Sequence, residues 1–193
     1  MAVNTVGVNT VGKILAGLIW AAFGELALLV GTGVYLLFAF QPGPVAFGSG
    51  PNGVESTVRL VHHLGSYVLV ITLATVTVLA ALRRVPTRHR VASIVVGAGL
   101  SAVTLFVTFS GGLLPWDTLA LETITVGPIA KGYGMIWHNQ VNRVFIGGSS
   151  LAPSTVRLWL TVHVVLAILV ATALVVGAVL LRSARAAFRS KSR

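Results

Sequence analysis

The chain reads as an all-α integral membrane protein, a bundle of four membrane-spanning helices, on three observations. Four apolar runs are each long enough to cross a hydrocarbon core, which takes about 20 helical residues. Apolar residues make up 55% of the 193 residues and charged residues only 9%, where a soluble domain carries roughly a quarter charged. The basic residues sit just beyond the ends of the apolar runs, as anchors on the cytoplasmic side of membrane helices do.

The first span is expected over 14–40. It stops at Gln41-Pro42-Gly43-Pro44, where proline removes backbone donors and breaks the helix. The second span covers 57–82 and the third 91–114. The turn between them is filled by Arg83, Arg84, Arg88 and Arg90. The fourth span covers 155–181 and is followed by a basic tail, 182–193, with Arg182, Arg185, Arg189, Lys191 and Arg193. The positive-inside rule places both basic clusters in the cytoplasm. Both termini are then cytoplasmic, and 41–55 and 115–154 lie outside, which is self-consistent only for an even number of spans. The long connection 115–154 holds Trp116, Asp117, Glu122, Lys131, Trp137, His138 and Arg143. Its stretches 119–126 and 135–145 each suit a short helix along the interface, with Trp and Tyr at headgroup level.

Composition also excludes. The net charge of +10 is spent on anchors, so nucleic acid is not an expected partner and the lipid bilayer is. With no cysteine, disulfides, thiolate metal sites and iron–sulfur ligation by this chain are ruled out. The first apolar run is too long, and too poor in small residues at a cleavage point, for a removable leader. The expectation is one membrane domain, 1–193, multi-pass in the cell membrane.

Five histidines are present. His62 and His63 fall about two turns inside the outer end of the second span, and His163 about two turns inside the outer end of the fourth. Histidines at matching depth on two helices can clamp a metal macrocycle, as bundle cofactors are held by facing helices. The competing reading is a pair of rings bonded to neighbouring backbone or to each other. His89 and His138 lie in loops and read as exposed side chains. Gly97 and Gly111 on the third span, and Gly17 and Gly31 on the first, are each 14 residues apart, so each pair shares one helix face. Glycine admits a close approach to the backbone, which a flat macrocycle edge requires; small-residue helix packing reads the same way. Glu25 lies in the middle of the first span, where an ionised carboxylate is expensive. It is protonated, faces a quinone or proton path, or pairs within the bundle. Asp117 and Glu122 suit either proton release or a surface helix start.

Four motifs in order carry a resemblance. Gly111-Gly112-Leu113-Leu114-Pro115-Trp116-Asp117 resembles the end of the third helix of cytochrome b. Val58-Arg59-Leu60-Val61-His62-His63-Leu64-Gly65-Ser66 is similar to the second-helix segment that carries that family's first haem ligand. There arginine precedes the ligand by three and glycine follows it by three, which selects His62, with His63 as the fallback. Val144-Phe145-Ile146-Gly147-Gly148 is similar to the family's stretch before the fourth helix. Ser154-Thr155-Val156-Arg157, then His163, resembles the start of that helix. The likeness runs from the second span to the fourth and extends loosely to the first, where Thr32-Gly33 also resembles the family motif. The chain departs from the family where each of these two helices should carry a second histidine about four turns deeper: Val76 and Gly177 stand there. Arg157 precedes His163 by six, where the family has five.

The resemblance implies the N-terminal four-helix domain of cytochrome b with one b haem on His62 and His163. It implies cofactor contacts from Gly65, Gly97, Gly111, Gly31 and Gly17, with Arg59 and Arg157 either pairing with haem propionates or snorkelling to headgroups. The implied function is an electron-transfer subunit, passing electrons between quinone or quinol and a partner redox subunit, membrane or peripheral, on the outer side. Such a chain is a non-autonomous part of a quinol-linked oxidoreductase. The alternative, from another class, is a haem-free anchor or assembly subunit of a larger respiratory complex.

Overall fold

The computed structural model describes residues 5–39, 53–82, 87–115 and 153–191, with side chains placed over 10–39, 54–82, 90–115 and 154–179. Within these the chain is four helices: α1 (Thr5–Ala39), α2 (Gly53–Leu82), α3 (Thr87–Gly112) and α4 (Pro153–Lys191). The segments long and apolar enough to cross a membrane are Thr10–Ala39, Val54–Leu82, Arg90–Gly112 and Ser154–Val179. Asp117, Glu122, His138 and the expected interfacial helices of the 115–154 connection lie outside the described residues.

The second and third helices begin and end within a few residues of the apolar runs, whereas α1 starts nine residues before its run, at Thr5, and α4 continues past the end of its own. That helix continues through most of the basic stretch to Lys191. The stretch contains Ala184, Ala186 and Ala187 among arginines and no glycine or proline, a composition that favours continued helix.

Each helix packs against its neighbour in the chain, α1 on α2, α2 on α3 and α3 on α4. The contacts run in opposite senses. On α1 and α2, Gly33 meets His62 while Glu25 meets Thr72. On α3 and α4, Gly111 meets His163 while Leu100 and Leu174 share a cluster deeper in. The bundle is therefore up-down-up-down, the arrangement that short connections favour.

All four helices contribute to one leucine-rich plug. Ala22, Leu69 and Leu73 are buried, and Leu29, Leu100 and Leu174 pack on them. Outward faces stay apolar, as at Leu60, Ile71, Val96 and Ile168, which suits lipid contact. The hydroxyls of Thr75, Thr77, Ser101, Thr104, Thr108 and Thr161 each donate to the carbonyl four residues earlier. A hydroxyl satisfied by its own helix can sit in hydrocarbon without a second partner.

Candidate site between the second and fourth helices

His62 lies nine residues into α2 and His163 ten residues into α4. Because the two helices run in the same direction, these positions fall at the same level. Their rings approach with centroids 6.3 Å apart and planes inclined at 61°. A metal-bound imidazole nitrogen lies about 2.0 Å from the metal and the ring centre roughly 1.1 Å behind it, so two imidazoles on opposite sides of one metal have centres about 6 Å apart. The observed separation matches that spacing.

Hydrogen bonding fixes which nitrogen each ring offers. His163 Nδ1 lies 2.9 Å from the carbonyl of Val107. A carbonyl only accepts, so Nδ1 carries the proton and Nε2 the lone pair. Ser110 Oγ stands 3.1 Å from the same nitrogen while donating to the Val107 carbonyl at 2.8 Å. His62 reaches the same state by another route. Thr32 Oγ1 lies 2.7 and 3.2 Å from the carbonyls of Leu28 and Leu29, which take its hydrogen, and 2.8 Å from His62 Nδ1, from which it then accepts; His62 also bonds the backbone of Leu29. Nδ1 of His62 is thus also protonated. Nε2 of His163 makes no hydrogen bond with the described residues. Both rings are neutral donors of one lone pair, oriented from behind, which is how metal-bound histidines are normally held.

Glycines make the room. A Cβ at Gly33 would lie 3.2 Å from His62 Cε1, and one at Gly111 would lie 2.8 Å from His163 Cε1. Each ring therefore lies in a notch cut into a facing helix, His62 against α1 and His163 against α3. Beside the α3 notch, Trp159 packs between Phe106 and Phe109 with centroids 6.4 and 6.3 Å away. Ser110 and Thr155 there are fully buried.

The other expected residues are placed as follows. His63 is exposed and turned to Tyr67, ring centroids 4.9 Å apart, so of the adjacent pair it is His62 that faces His163. Gly65 receives Leu29, 3.3 Å from where its Cβ would be. Gly97 receives Thr77, whose Cγ2 would lie 3.0 Å from an added Cβ and whose hydroxyl would overlap it. Gly17 and Gly31 have open space around them. Gly33, rather than its neighbour Gly31, touches a candidate ligand. The 14-residue spacing of Gly17 and Gly31 had drawn attention away from it, and only the packing of α1 on α2 decides the register. Arg59 pairs with Glu55 at 2.9 Å, one turn back on α2, and Arg157 is exposed. The orienting roles of Thr32, Val107 and Ser110 were not read from sequence. Two of them act through neighbours on other helices, and the third through a backbone carbonyl, which leaves no residue-type signal.

Among the described residues no three of His, Cys, Asp and Glu come together. The site offers two protein donors. A bare structural or catalytic ion such as zinc takes three or four, whereas a macrocycle brings its own four and leaves two axial places. Four helices of this length and apolarity make the chain a multi-pass helical membrane protein. No family model, no curated protein and no solved structure matches it.

Proposed function

We propose that the chain is a membrane electron-transfer subunit for one b-type haem between α2 and α4, which the imidazoles of His62 and His163 would hold. The observation that carries this is the pair of imidazoles at a shared-metal separation with both Nδ1 atoms already occupied. The composition of the donor set fits the group: two imidazole nitrogens, no thiolate, and no third ligand among the described residues. Bound there, haem supplies reversible one-electron chemistry, and the protein supplies position and environment.

Each residue then has a task. Thr32 and the Val107 carbonyl hold the two rings in one tautomer and keep them from rotating. Gly33 and Gly111 let the rings sit close to α1 and α3. The plug of Leu69, Leu73, Leu100 and Leu174 keeps water from the site on one side, and the Trp159 cluster packs α4 onto α3 on another. Arg59, one turn from His62 and steadied by Glu55, is placed for a carboxylate on the rim of the macrocycle. On the positive-inside reading the histidine end of the bundle is the outer one. Electrons would then pass between quinone or quinol in the bilayer and a redox partner on that side, and a partner chain completes the quinone pocket. The resemblance to the N-terminal domain of cytochrome b, argued from the motifs around His62, Gly111 and His163, supports the same reading.

The test is a visible spectrum and haem assay of the purified chain. One low-spin haem per chain, lost in both His62→Ala and His163→Ala, is the expected result. A chain that folds and carries no pigment even after expression with added haem precursor overturns the proposal and leaves the haem-free anchor.

A further inference from the structure

The reading above makes no use of Glu25, the carboxyl group on α1 at the centre of its span. The span runs Thr10–Ala39, so Glu25 has 15 residues on one side and 14 on the other. It faces α2, where Thr72, itself buried, donates through Oγ1 to Glu25 Oε1 at 3.1 Å. The other oxygen, Oε2, is buried and has no hydrogen-bond partner. No cation stands against it among the described residues. Lys13 lies three turns back on α1, Arg59 is paired with Glu55, Arg90 is at the start of α3, and Arg157 is exposed near the start of α4. Thr72 is the polar group that α2 turns toward it.

A carboxylate at the middle of a bilayer, with no counter-ion and one oxygen without a donor, carries an uncompensated charge in a medium that solvates charge poorly. A carboxylic acid in the same place carries none. Its carbonyl oxygen accepts one hydrogen bond, which is what Oε1 does, and its other oxygen bears the proton; that O–H has no acceptor among the described residues, a cost smaller than that of an unpaired charge. The surroundings therefore favour the acid over the anion. We propose that Glu25 is an intramembrane proton-binding site: a carboxylic acid with Oε1 as carbonyl held by Thr72 and Oε2 as hydroxyl. The site stands independently of what His62 and His163 bind. Thr72 lies ten residues from His62 on α2, at the level of the leucine plug between Leu69 and Leu73, roughly 15 Å along the helix.

The test uses the full chain in detergent or liposomes at neutral pH. Dicyclohexylcarbodiimide, an apolar reagent, adds whole to a protonated carboxyl: the acid's proton moves to nitrogen, its oxygen bonds the central carbon, and nothing leaves. Peptide mass analysis is expected to find Glu25 modified in the wild type, and nothing at that peptide in Glu25→Gln, which keeps the shape of the side chain. Infrared spectra are expected to show a protonated-carboxyl C=O band that disappears in Glu25→Gln and moves to higher frequency in Thr72→Val, where the bond to Oε1 is lost. A Glu25 that resists the apolar reagent, or a Glu25→Gln difference spectrum that contains carboxylate bands alone, overturns the proposal. An unshifted band in Thr72→Val removes Thr72 from it.

Discussion

The two halves of the bundle are built on the same four helices and the same 14-residue spacing, yet they hold different things. At the histidine end, α2 and α4 present His62 and His163, and the facing notch on α3 is Gly111, into which the His163 ring fits. Fourteen residues deeper the corresponding positions are Val76, Gly177 and Gly97. There the notch on α3 is filled by Thr77 from α2, and the helices close on leucines from all sides. A glycine notch thus has no fixed purpose. It takes whatever the neighbouring helix turns toward it, a ring that can bind metal in one half and a methyl and hydroxyl in the other. The likeness between Gly97 and Gly111 in sequence conceals that difference.

The strongest way to break the contrast is to remove a ring. On the proposed reading, His163→Ala empties the site of haem while the bundle remains, because the Leu69–Leu73 plug is untouched. Loss of a partner that merely orients a metal-bound histidine weakens binding about 10- to 100-fold, and loss of the ligand itself should exceed that. Pigment content per chain, set beside the helical circular dichroism of the same sample, measures it. Retained low-spin pigment in His163→Ala would remove α4 from the site.

Next come the two notches, which should respond in different currencies. Gly111→Ala puts a methyl 2.8 Å from the His163 ring, and the ring must move. The expected result is overpacking of about 1–3 kcal/mol together with a changed or lost haem spectrum. Gly97→Ala meets Thr77 instead. Its cost is of the same order, about 1–3 kcal/mol in stability, with the spectrum unchanged. Adding Thr77→Ala should recover most of the Gly97→Ala loss and none of the Gly111→Ala loss, since only contacting residues couple. Denaturation in detergent, followed alongside the absorption band, separates the two.

That contrast also marks how much could be read from the chain. The four spans were legible because a 20-residue apolar run admits few other interpretations, and the basic clusters at 83–90 and 182–193 bounded them. His62 and His163 were legible because polar residues at membrane depth are scarce. What escaped was pairwise. Gly33 was passed over for Gly31 because spacing along one helix cannot say which face its neighbour covers. Thr77 in the Gly97 notch was invisible for the same reason, since both residues are ordinary in membrane helices. The continuation of α4 to Lys191 was hidden by charge: the basic stretch reads as a tail, although its backbone preferences are helical.

The smallest effects should come from behind the rings, and their order follows from which partner each ring loses. His62 has Thr32 Oγ1 at 2.8 Å from Nδ1 and a hydrogen bond to the backbone of Leu29. Thr32→Val keeps the shape and removes the side-chain partner, so the ring is held by the Leu29 backbone alone. Haem affinity should fall about tenfold, the low end for partners of this kind. His163 likewise has a side-chain and a backbone partner. Ser110→Ala removes a contact of 3.1 Å but leaves the Val107 carbonyl at 2.9 Å, and that carbonyl alone holds the proton on Nδ1. One net hydrogen bond is worth about 1 kcal/mol, roughly fivefold, as an upper bound here. Haem titration into the two purified apo-variants gives the comparison directly. If Ser110→Ala proves the more damaging, the hydroxyl and not the carbonyl is what orients the second ring, and the tautomer assigned to His163 has to be reversed.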